Sequence, residues 1–578
     1  MKSRNTNQIL MKKIILFFVI ITFFSCGETT NKASPELAAD NIYHNGEIIT
    51  MAGETQEYVG AIAVKDGKIT KLGPKEEVLT LQGDSTVLIN LNGKTMLPGF
   101  IDGHAHFSNF ASQAIGAQLL PPPDAGAKDI PTLIQILKDW NTEENRALTG
   151  WIFGTGFDDS VLAEKRFPTK EDLDQVTTEF PIMIIHISGH FASLNSKGLA
   201  QLGISAATKD PKGGMIRRIS NSQEPNGVLE ELAAIPYYSK ALTPQGEEAL
   251  LKFMAGGQEM AVSYGYTTAQ EGRAMEQHEL LAAFAEKDFW KIDVVSYIDY
   301  AYPKYLESKW NSKDYKNNYR IGGMKLTLDG SPQGRTAWRT QPYLLAPHGA
   351  VDKYAGYPAI ESDEDVSAIY EKAFKNDWQI LTHANGDAAM DQMIRTMKPL
   401  AEKYGNDNRR NVLIHGQYVR EDQLDSFKDL NVIASLFPLH TFYWGDWHKE
   451  LIGDVLGNKI SPVKTALNKG LNITIHTDAP VALPNLMRVV WTAVNRTSRS
   501  GAIIGAEERL TPYEALQAIT IWSAYQHFEE DKKGSLEKGK LADLVILDKN
   551  PMKVAPDDIK DIIVLETIKE GTSIYKKQ

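Results

Sequence analysis

Between residues 98 and 534 short apolar runs alternate with longer amphipathic stretches, and no other feature constrains the fold of this chain as tightly. The runs fall at 100–106, 266–272, 293–298, 324–329, 379–384, 412–415, 432–437 and 473–478. Such alternation suits a parallel sheet covered by helices, and eight strands are what an α/β fold of the (β/α)8, TIM-like barrel kind requires. Two further strand-like runs, 151–157 and 181–187, would make ten. They lie in the long gap after the first run and are assigned to an insertion at 110–245 that folds over the barrel mouth. Several of the eight runs end in a histidine or an aspartate. Active sites in this barrel collect at the C-terminal ends of the strands, so these polar ends map a candidate site.

The two flanks read differently. Residues 41–50, 60–70 and 86–91 are strand-like, with Asn45-Gly46 and Asp66-Gly67 as tight-turn signals for hairpins. Residues 539–548 and 562–575 have the same character. The expectation is a small β-sandwich built from both chain ends, 41–97 and 535–578, around a barrel at 98–534. Asp543 belongs to the sandwich and reads as structural.

The N-terminus reads as a targeting segment. Lys12-Lys13 precede an apolar stretch from Ile14 to Phe24, too short to span a bilayer as a helix but suited to a secretory signal. Ser25-Cys26-Gly27 follows, and the segment resembles the signal of bacterial lipoproteins, in which the cysteine is lipidated. Phe23 stands where leucine is usual; the alternative is an ordinary cleaved signal. The expected layout is a signal at 1–26, a polar tether at 27–40, and a protein held by a lipid at Cys26 in a bacterial envelope, facing the periplasm or exterior. Membrane contact is expected through that lipid alone. Cys26 is the only cysteine, so no internal disulfide forms and any metal is held by nitrogen and oxygen ligands. A net charge of −11, without clustered Lys and Arg, argues against nucleic acid and leaves a small molecule as the expected partner.

His104 and His106 are two apart on the first run, so their imidazoles share a face and can converge on one divalent ion. Alone, a His-x-His pair is weak. Here it ends the phrase Leu97-Pro-Gly-Phe-Ile-Asp-Gly-His-Ala-His106, and in that context the chain resembles the amidohydrolase superfamily. The resemblance implies further ligands at His383, His415 and Asp478, which end the fifth, sixth and eighth runs. It also implies that Lys325, in the fourth run, is carboxylated by CO2 and bridges two ions. The alternative is an unmodified lysine contacting substrate or Asp329, with a single ion. Segments 187–196, 325–336 and 512–516 look like the YtcJ-like branch, which also contains N-substituted formamide deformylases.

The implied reaction is hydrolysis of a non-peptide C–N bond by a water activated on one or two divalent ions, zinc foremost. Asp478 would act as general base and then acid, and His415 or His440 would help stabilise the oxyanion. His190, in the insertion, His440 and Asp329 are expected to face substrate. His476 is a secondary candidate, and Trp444 and Trp447 offer an apolar wall. Ester or lactone hydrolysis, a metal lyase or isomerase, and a catalytically silent binding lipoprotein remain as alternatives.

Overall fold

A computed structural model describes residue 34 and residues 36–189, 191–211, 214–347 and 350–578. Cys26, the apolar segment before it and His190 lie outside the described residues.

Eight strands form one parallel sheet: β1 (Phe100–Ile101), β2 (Tyr266–Ala274), β3 (Asp293–Asp299), β4 (Tyr319–Thr327), β5 (Gln379–Ala384), β6 (Val412–His415), β7 (Ile433–Leu436) and β8 (Ile473–Ile475). Each pairs with its neighbour in chain order. The sheet is curled, and beyond its first and last strands Asp478 N donates to His104 O at 3.0 Å and His106 N to Ala479 O at 2.8 Å. Most strand residues are buried, as expected for a parallel sheet covered on both faces.

The covering helices follow from local sequence. In Asp363–Lys375, Ser362 caps the N-terminus by accepting from Asp365 N. Three acidic residues occupy the first turn and two lysines the last, matching the helix dipole. Val366, Tyr370, Ala373 and Phe374 recur on one face and are buried.

Residues 151–157 and 181–187 contribute strands to a separate six-stranded sheet, together with Ala117–Gln118, Phe191–Leu194, Gly214–Arg218 and Pro225–Glu231. The two chain ends meet in a third sheet, where Thr95–Pro98 pairs antiparallel with Leu544–Leu547. Asp66-Gly67 makes the expected hairpin turn between Tyr58–Lys65 and Lys68–Gly73. Asn45-Gly46 does not turn the chain. The pair sits at an irregularity of register inside Asn41–Ile49, and Gly46 packs there so closely that a Cβ would lie 2.5 Å from the Leu91 side chain.

The first and last strands are also shorter than expected, ending at Ile101 and Ile475, so His104, His106 and Asp478 sit on segments beyond them. Strand β4 begins at Tyr319, earlier than its apolar run. Its opening residues include Arg320 and two glycines, a pattern that hides a strand. Arg320 is buried because Glu529 meets it at 2.9 Å, within a cluster that also holds Asp293, Lys533, Asp543 and Lys569. Asp293 opens β3, so this cluster lies at the opposite end of the strand from Asp299.

Candidate metal centre

Asp102 organises the end of β1. Its carboxylate accepts from the Tyr266 hydroxyl at 2.6 Å, from the Thr477 hydroxyl at 2.5 Å and from His104 N at 3.2 Å. Burial pushes this carboxyl up to about 6 despite those hydrogen bonds. Asp102 thereby ties the histidine segment to the one carrying Asp478. Close approach explains two glycines. A Cβ on Gly103 would fall 2.7 Å from Thr474 Oγ1, and one on Gly272 only 2.1 Å from His104 Cε1. A side chain at position 272 would displace the candidate ligand His104, and one at 103 would press on Thr474 and Ser435.

Asp478 lies among the histidines. Its Oδ1 is 3.8 Å from His104 Nε2 and 3.5 Å from His106 Nε2, and its Oδ2 is 3.9 Å from His415 Nδ1. One ligand atom each from His104, His415 and Asp478 lie within 4.8 Å of one another. His383 packs edge-on against His415 with ring centroids 4.7 Å apart. Asp478 and His415 both hold left-handed backbone, at φ 51° and 73°. Such conformations cost non-glycine residues on the order of 1–3 kcal/mol and concentrate at functional sites.

Hydrogen bonding sets the His104 tautomer. Gln270 Nε2 donates to Gly103 O at 2.8 Å, so its Oε1 faces His104 Nδ1 at 2.6 Å and accepts from it. His104 Nε2 therefore carries the lone pair and points toward Asp478 and Lys325. Burial, reinforced by Lys325, holds His104 well below the usual histidine range. Burial likewise lowers His383 to about 3 and His415 well below its ordinary value. His106 differs. Burial opposes its charge, but Asp478 and Glu271 outweigh this and raise it to about 9. Neutral imidazoles beside carboxylates that attract a cation are the donor set a divalent ion needs.

Lys325 is buried, with Nζ 3.0 Å from His104 Nε2. Burial draws it down to about 7, against the pull of Asp478. Asp329 is raised to about 7 by burial, although its oxygens accept from the backbone amides of Trp338, Asn385 and Gly386 at 2.7–2.9 Å. Those three bonds commit Asp329 to ordering the loops after β4 and β5. His440 is buried beside Phe437 and Trp444, and its Nδ1 has no hydrogen-bond partner among the described residues. His476 bridges His415, at 3.2 Å, and Ser435, at 2.9 Å.

His106, Lys325, Asp329, His383, His415, His440 and Asp478 line one cavity of about 260 Å³. A larger cleft of about 990 Å³ adjoins it, sharing Ser188 and Gln333. Trp444, Trp447, Phe191 and His186 are among the residues that line this cleft. Gln270, Glu271 and Arg273 escaped the sequence reading, although a polar cluster at the end of β2 was the available signal. Replacing Gln270 with leucine is expected to lower metal affinity by roughly 10–100-fold, because the imidazole loses the partner that fixes its tautomer. Metal titration would check this, and unchanged affinity would remove Gln270 from the site.

Comparison with known proteins places the chain in a family. The chain is 26% identical over 551 residues to the putative amidohydrolase YtcJ of Bacillus subtilis, covering 93% of this chain and 99% of that protein. It is 26% identical over 530 residues to the N-substituted formamide deformylase of Arthrobacter pascens, covering 89% and 95%. The crystal structure of a metal-dependent hydrolase from Pyrococcus horikoshii superposes with a TM-score of 0.70 at 24% identity, over 89% of this chain and 99% of that one, and shows a common fold. Residues 87–575 match the model of the amidohydrolase family, and the chain belongs to that family.

Proposed function

We propose that the chain hydrolyses a non-peptide C–N bond, in an amide, formamide or related small molecule, on a (β/α)8 barrel holding one or two divalent ions. The observation that carries this reading is Asp478, set 3.5–3.9 Å from three histidines at the end of the sheet where the strand termini converge. The hydrogen bonds between the sheet's two edges support a closed barrel. In this layout 41–97 and 535–578 form one β domain, and the insertion at 110–245 supplies specificity.

His104, His106, His383, His415 and Asp478 would hold the metal, and its nitrogen and oxygen ligands favour zinc. Lys325, carboxylated, would complete a two-ion site, since an ammonium beside dications is strongly disfavoured. When bound, such an ion polarises a carbonyl and acidifies a water toward a pKa of about 7. Asp478 takes the proton of the attacking water and returns it to the leaving nitrogen as the C–N bond breaks. His440 lies in the cavity wall, placed to stabilise the oxyanion. The deformylase relative supports the bond class.

The test is metal analysis combined with amine release from a panel of formamides, amides and matched esters. The expected result is bound metal and amine release that chelation abolishes and zinc restores. Ester cleavage alone, or turnover insensitive to chelation, would overturn the reading.

A further inference from the structure

The cavity contains a cation that the hydrolytic mechanism leaves unused. Arg273, near the end of β2, lines it together with His106, Lys325, His383 and Asp478. Its Nε donates to Asp299 Oδ2 at 2.7 Å. Asp299 ends β3, is buried, and accepts from Ala301 N at 3.0 Å through its other oxygen. A fixed carboxylate thus grips the guanidinium by one edge. The Arg273 side chain remains 45% exposed, and its remaining N–H groups meet no hydrogen-bond acceptor among the described residues.

Asp299 already pairs with one edge of this cation, and an anionic ligand group would be attracted both to the other edge and to a bound dication. The arginines of the outer cleft have partners of their own. Arg217 pairs with Glu230 and Arg218 with Asp210, while Arg335 donates to the carbonyls of Leu345 and Ala346. Arg217 is held through Nε much as Arg273 is, but it lines the outer cleft, whereas Arg273 lines the inner cavity beside the candidate ligands, where a planar guanidinium can bind a carboxylate through two parallel hydrogen bonds.

We propose that Arg273 binds a carboxylate on the substrate, so that the preferred substrates are acylated amines carrying that group, of the N-acyl amino acid class; this rests on the C–N hydrolysis proposed above. Asp299 acts through Arg273 and is a positioning residue. The carboxylate docks inside the cavity, and the side chain of the amino acid extends toward the aromatic outer cleft.

The test compares N-formylphenylalanine with its neutral carboxamide on the full-length, metal-loaded protein, reading formate release. A parallel arm reads binding of both probes to the metal-free protein by calorimetry, where no ion can attract the carboxylate. Wild type should favour the acid by roughly tenfold or more in both readouts, the range of a charge-assisted pair. Arg273→Gln should bring both ratios close to one, chiefly through KM. Arg273→Lys, which keeps the charge but not the fork, should retain part of the preference and carries the test if the glutamine variant fails to fold. Equal treatment of the two probes by wild type, or a preference that survives in Arg273→Gln, overturns the assignment. A binding preference without formate release upholds Arg273 and overturns formamide hydrolysis. Formate release without preference does the reverse, and neither binding nor release overturns both.

Discussion

Replacing Asp478 with asparagine is expected to lower kcat by roughly 10²–10⁴-fold, the contribution of a positioned general acid–base. Bound metal should stay close to the wild-type level. Asparagine keeps the size of the side chain and an oxygen toward the histidines, but it cannot take a proton from water or return one to nitrogen. The backbone makes the comparison clean. Position 478 sits at φ 51°, and asparagine is among the few residues that tolerate this region. A loss of activity would thus not reflect a refolded loop. Turnover at saturating substrate and metal content should be measured on the same preparation. Substantial residual turnover would remove Asp478 from the proton path, and loss of metal together with activity would make it chiefly a ligand.

The second large effect is expected far from the chemistry. Lys533 meets Asp293 and, at 3.1 Å, Glu529, with all three groups buried. Lys533→Met would leave two carboxylates short of a partner and should destabilise the fold by about 3–5 kcal/mol. Burial alone would raise Asp293 and Glu529, but the neighbouring cations, Lys533 foremost, hold both below the usual carboxylate range. A carboxyl lowered in the folded state contributes stability above its unfolded pKa and loses it as pH falls toward the folded value. The wild-type advantage over Lys533→Met should therefore be full near pH 7 and shrink below about pH 4, where unfolded carboxylates take up protons. Denaturant titrations at several pH values would read this. A gap independent of pH, or no gap, would show that the cluster is not coupled through charge.

Much of the site was legible because its chemistry lies in residue types placed at strand ends. His383 ends its run in the sequence and His415 ends β6, and both reach the cavity. His106 and Asp478 reach it from segments beyond the shortened strands, with His104 buried beside them, held by Asp102 and by backbone hydrogen bonds from Asp478 N to His104 O and from His106 N to Ala479 O. The pairing of Gln270 with His104 was hidden, since residues separated by more than 160 positions carry no local signal of contact. Arg320 masked the start of β4, because a buried charge reads as surface until its partner, Glu529, is seen. Asn45-Gly46 misled for a related reason. The pair is compatible with a turn, but the strand carries on through it and pairs with Tyr58–Lys65 on both sides of the irregularity, a long-range contact with no local signal.

By itself the sequence determined the alternation of strands and helices, the polar strand ends, and a ligand set of nitrogen and oxygen. Those follow from periodicity and residue chemistry, which are local. Only the tertiary structure decided which lone pair His104 presents, that Asp329 is taken up by three backbone amides, and that Arg273 joins the cavity held by Asp299. Each of these depends on groups distant in the chain meeting at hydrogen-bond range. Distances of that kind are set by packing, and no local pattern encodes them.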